Sequence, residues 1–83
     1  MEKPSDLPTI SRIRAKLNEF GSEGDITVDQ AKYVFGVTTK APIMLRLERG
    51  EILGAKVLGE WRVDIKSIHT YLDTINKNYN RSI

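Results

Sequence analysis

The segment spanning residues 36–50, GVTTKAPIMLRLERG, decides what this chain can fold into, because it carries two incompatible periods. Ile43, Leu45 and Leu47 alternate with Met44, Arg46 and Glu48 as a half-buried strand would, whereas Ile43, Met44 and Leu47 also line one side of a short helix. As a strand, the segment would complete a three-stranded meander with helices on one side. As a helix, it would form a helix-turn-helix with its predecessor, and the hairpin that follows would stand beside that pair. Two residues favour the helix. Pro42 suits a first helical turn, where its missing N–H would lack a partner anyway, and Gly50 follows Arg49 as a C-terminal stop should. Because proline discourages helical angles at Ala41, the helix is expected to start at about Pro42.

The flanking signals are plainer. Residues 1–8, MEKPSDLP, hold two prolines and little that can be buried, and read as a mobile arm. Thr9 is placed to cap a helix carrying Ile10, Ile13, Leu17 and Phe20 at helical spacing, with Gly21 to end it and GSEGD as a loop. Thr27 and Gln30 in TVDQ form a capping box for a helix that buries Ala31, Val34 and Phe35 and stops at Gly36. AKVLGEWRVD reads as two short strands joined around Gly59 and Glu60. Asp64 then caps a helix in which Ile65, Ile68, Leu72 and Ile75 recur at steps of three and four. Residues 9–25 thus form an N-terminal helix and loop, 26–75 the main domain, and 76–83 a polar tail expected to fray.

Composition excludes several alternatives. The chain has 83 residues, enough for one domain, and no cysteine, which removes disulfide frameworks and thiolate zinc sites. Its apolar runs are too short for a membrane span, no leader is seen, and a cytoplasmic location is expected. The formal charge of +2 conceals an asymmetry: residues 1–29 hold four basic and six acidic side chains, whereas residues 30–83 hold nine and five. A basic second part is compatible with a nucleic acid partner, though solvated lysine-rich surfaces are common. His69 has no neighbours that would make a metal site, and no nucleophile or carboxylate arrangement points to catalysis, so neither cofactor nor enzyme activity is expected.

Taken in order, ITVDQAKYVFGVT, LERGEILGAKVLGEWRVD and IKSIHTYL resemble the successive pieces of the excisionase-type winged helix-turn-helix family, related to the DNA-binding half of MerR-type regulators. The resemblance runs from about Ile26 to Ile75. It implies an α+β, mostly helical fold with a short hairpin wing, a helix after the first glycine turn that enters the major groove, and a wing that contacts phosphates or the minor groove. It further implies double-stranded DNA as partner, an architectural role beside a site-specific recombinase or repression of a promoter, and cooperative self-association on DNA. The chain ends too soon after its last helix for the long dimerisation helix of MerR-type regulators, so no sensor domain is expected. Three features depart from the pattern: the stretch between Gly36 and Gly50 is longer by about one residue, Glu60 puts an acid near the wing tip, and the N-terminal helix has no counterpart.

Placed on those elements, Thr39, Leu45, Arg46 and Arg49 are the expected base readers, since arginine suits guanine O6 and N7 and an apolar side chain can meet a thymine methyl. The ordinary alternative is a solvated helix face with Leu45 buried against the N-terminal helix. Lys40, Lys56, Arg62 and Lys66 are expected at phosphates, although any one of them is a common surface residue. Val34, Phe35, Leu47, Trp61, Ile68 and Leu72 are expected in the core. A competing reading keeps the fold but makes it a protein-interaction module, because Glu48, Glu51 and Glu60 would oppose phosphate.

Overall fold

A computed structural model of the chain describes residues 7–82. Among them the fold is α+β: helix α1 (Pro8–Asn18), strand β1 (Asp25–Thr27), helices α2 (Val28–Phe35) and α3 (Ala41–Glu48), strands β2 (Gly54–Val57) and β3 (Glu60–Asp64), and helix α4 (Ile65–Ser82). The ambiguous segment is a helix. The strands form one antiparallel sheet in the order β1-β3-β2.

Helix α1 buries Ile10 and Leu17, and Ile13 and Phe20 pack at the edge of the core. It starts earlier than expected. Leu7 is the N-cap, with no side-chain bond, and Pro8 fills the first helical position, leaving Thr9 exposed instead of capping. The first six residues of the expected arm lie outside the described residues, and Leu7 is already tied down by donating its N–H to Asn76 Oδ1 at 3.0 Å.

Strand β1 is an addition to the expected architecture. Ile26 is buried, and Ile26 and Val63 pair within the sheet. Thr27 ends β1 and at once caps α2: its Oγ1 accepts from Gln30 N at 3.1 Å while Gln30 Oε1 accepts from Thr27 N at 2.8 Å, the expected capping box. Helix α2 ends at Gly36, whose φ of 71° is left-handed. Val37 N donates to Lys32 O and Gly36 N to Tyr33 O, the paired bonds of a Schellman closure. The same closure ends α3, where Glu51 N donates to Arg46 O and Gly50 N to Leu47 O. These repeated stops define the turn between α2 and α3 and hand the chain to the hairpin.

The two-residue turn joining β2 and β3 consists of Leu58 and Gly59, because Val57 and Glu60 are already paired. Glu60 is thus a strand residue instead of the tip. Asp64 ends β3 and caps α4 as expected, its Oδ2 accepting from Ser67 N at 2.9 Å. Buried Ser67 donates to Asp64 O and accepts from Leu53 N, pinning the approach to β2. Residues 76–82 continue α4 instead of fraying, which fits a polar stretch that lacks proline and glycine.

Among the described residues, eleven apolar side chains from every helix and from the sheet region form the core, with Val34, Ile68 and Leu72 inside it as expected. Phe35 and Leu47 are half-buried and pack against it. Trp61 is a correction: it is half-buried and outside the core, lying beside Met44, Leu47 and Glu48 in a shallow groove. Strand alternation explains this. Trp61 shares the inward face with Val63 but sits nearer the turn of the hairpin, past the reach of the core.

Of the described glycines, Gly54 has the least room for a side chain. A Cβ there would stand 2.5 Å from Arg62 O and 2.9 Å from Leu47 Cδ2. Gly54→Ala should therefore destabilise the chain by about 1–3 kcal/mol, read as a lower urea midpoint with unchanged slope. An unaltered midpoint would show that neither β3 nor α3 presses on Gly54.

Candidate nucleic-acid interface

Helix α3 exposes the stripe Ala41, Leu45 and Glu48, while Ile43 faces the core and Leu45 is 42% exposed. One turn of helix separates successive members of that stripe. The hairpin projects beside it. Beside them lies a groove of about 440 Å³ lined by Met44 and Trp61, by Lys40 just before α3, by Lys56 and Glu60 of the hairpin, and by Asp29 and Lys32 of α2.

The sheet register decides which cations reach this groove. Lys56 and Trp61 are cross-strand partners and share one face, whereas Arg62 pairs with Ala55 on the other. Arg62 is held there by Asp25, with Nε and Nη2 at 2.8 and 2.7 Å from Oδ1. It therefore does not join Lys56, as the expected phosphate set required. Lys66 stands at the start of α4, 3.6 Å from Glu23, beside a separate depression near Leu53 and Ser67. Lys40 and Lys56 are exposed and carry no ion pair among the described residues. Lys32, missed in the sequence, reaches the groove while paired to Asp29 at 3.1 Å.

Of the expected base readers, Thr39, Leu45 and Arg49 are exposed in the turn, on the middle and at the end of α3. Arg46 is the exception. Its guanidinium turns inward, Nε donating to Tyr71 Oη at 3.0 Å and Nη1 to Pro42 O at 2.9 Å. It also lies 5.5 Å from the Phe35 ring centre and 5.6 Å from that of Tyr71, and the two rings meet edge-on. One side chain thus ties α3 to α2 and α4. The 100° step that was expected to turn Arg46 outward with Leu45 instead carries it toward α4.

Comparisons with protein-family models, curated proteins and solved structures find no match for this chain. The chemistry of the surface must therefore be read from its own residues. No cluster of three metal-ligating side chains occurs among the described residues, and no buried side-chain polar atom there lacks a partner. Half-buried His69 faces Arg14, with Nη1 and Nδ1 3.1 Å apart, and Arg14 also pairs with Asp73. On the α1 side of α2, Tyr33 donates to Glu19 at 2.8 Å, and that bond raises the phenol above its ordinary pKa, aided by desolvation and the carboxylate charge. These groups serve the packing of α1. The groove and the open stripe of α3 are left outside that packing.

Arg46→Ala should cost about 2 kcal/mol of stability through the lost charged hydrogen bond and the ring contacts, and Arg46→Lys should not restore it, because an ammonium lacks the planar fork. Denaturation in urea checks this. A midpoint equal to that of the wild type would mean that Arg46 is free to leave the rings.

Proposed function

We propose that this chain is a winged helix-turn-helix DNA-binding protein of excisionase type, with α3 as recognition helix and the β2–β3 hairpin as wing. The observation that carries the reading is the groove edged by Lys40 and Lys56, which carry no ion pair among the described residues, beside the open stripe of α3 and the hairpin. A helix fits the major groove, about 12 Å wide, while lysines on either side meet the phosphates that border it. Leu45, Thr39 and Arg49 then face base edges. Arg46 sets the pitch of α3 from behind.

A module of this size covers little duplex, so specificity comes from several copies on adjacent sites. Cooperative binding, DNA bending and recruitment of a site-specific recombinase, or promoter repression by the same contacts, follow on this reading. The second reading, a protein-interaction module, is favoured by one observation: Asp29 and Glu60 line the same groove and Glu48 lies on the open stripe of α3, so three carboxylates face any phosphate.

Titration against random duplex at low and moderate salt separates the two. DNA binding should weaken steeply with salt, and Lys40→Ala and Lys56→Ala should each flatten the slope by about one unit on every duplex. Glu60→Arg should tighten binding, whereas Leu45→Ala and Arg49→Ala should alter sequence preference. Absence of binding at low salt would reject the DNA reading and leave the protein module.

A further inference from the structure

We propose that Leu58, at the tip of the hairpin, is an apolar wedge that enters the DNA minor groove next to the α3 site and unstacks a base step. This rests on the DNA reading above and adds to it a part that the cationic groove does not supply.

Leu58 is 100% exposed, so it contributes no burial to its own fold. Its φ of 52° is the sole positive value at a non-glycine among the described residues, and Gly59 beside it has φ 84°. A two-residue hairpin turn with both central residues left-handed is the arrangement for which Asn-Gly is the favoured pair. Leucine there is strained by its Cβ and cannot make the local hydrogen bonds that reconcile asparagine to the same angles. The side chain is therefore unfavourable on two independent counts, strain and exposure, at the turn of the hairpin. Unrelieved strain at such a point is an indication of use by a partner.

Dimensions and charge favour DNA as that partner. The minor groove is about 6 Å wide. Two strands about 4.8 Å apart, with their side chains, are too broad to enter it. A single side chain at a two-residue tip can. Lys56 precedes the tip on the groove face, where it reaches a bordering phosphate, while Glu60, which also lines the groove, follows the tip. The Leu58 side chain offers no hydrogen bond, so it cannot read base edges and must act by insertion. Leucine is among the residues that proteins drive between base pairs, and such wedges kink the duplex toward the major groove. Here that direction leads toward α3. Flexible pyrimidine–purine steps, which unstack most readily, are the expected sites of entry.

The test uses short duplexes that carry a fluorescent adenine analogue at a central TA step, with bending followed on the same duplexes by energy transfer between end labels. Wild-type protein at low salt should raise the analogue's fluorescence and bring the ends together. Leu58→Asn, which keeps the turn and relieves its strain, should raise the folding equilibrium constant several-fold. It should bind duplex with an unchanged salt slope, yet lose both the fluorescence rise and the bend. Leu58→Phe should retain them. Wild-type binding without a fluorescence change, or an unchanged bend with Leu58→Asn, overturns the wedge and leaves the DNA reading intact. Failure of the wild type to bind any duplex overturns both. If Leu58→Asn bends DNA normally but weakens association between copies in sedimentation, the tip is a protein contact and the wedge is again overturned.

Discussion

Strand β3 is the element on which the rest depends, because it fixes where two helices begin. Its partners lie on both sides, and its register sets Asp25 opposite Asp64 and Ile26 opposite Val63. Thr27 ends β1 and caps α2, and Asp64 ends β3 and caps α4, so the sheet hands its geometry directly to the two helices. The link from Ile65 N to Gly24 O at 2.9 Å closes the junction. The apposed carboxylates at Asp25 and Asp64 carry a like-charge penalty, which Arg62, diagonal to Asp25, offsets through two short contacts. That explains why a cation that looked suited to a ligand is spent on the sheet.

Helix α3 depends on a different tie. It is short, enters without a side-chain cap and has Pro42 in its first turn, so its own propensity holds it weakly. Arg46 compensates by reaching the Phe35 and Tyr71 rings on two other helices. The guanidinium keeps its charge while its flat faces rest on apolar surface, which a lysine could not do. The outer stripe of α3 is thereby freed from structural duty.

Local signals were legible in the sequence and distant ones were not. The Thr27–Gln30 box, the stops at Gly36 and Gly50, the Asp64 cap and the helical identity of the Pro42 segment are each set by contacts within a few residues. Strand β1 is only three residues long and exists through pairing with residues almost forty positions away, so its alternation was too brief to see. The hairpin turn fell one residue early, on Leu58 instead of Glu60, because a leucine is a poor advertisement for a left-handed turn. A slip of that kind also changes which charges share a face, and so Arg62 left the candidate site. Arg46 and Trp61 were exchanged for a related reason: helical period and aromatic size predict burial, whereas rings on neighbouring helices and distance along the hairpin decided it.

The closure of α1 onto α4 bears on how the chain is made. Leu7 bonds Asn76, Arg14 meets His69 and Asp73, and the buried Ile10 and Leu17 share their core with Ile68 and Leu72. The first helix also packs against α2, where Phe20 meets Tyr33 edge-on, but its other side stays open until the last helix has been synthesised. During synthesis α1 is made before α4, so the part of its apolar stripe that faces α4 stays uncovered until that helix follows. A chain cut before α4 would leave Ile10 and Leu17 without Ile68 and Leu72 beside them, and so with part of the core open to water.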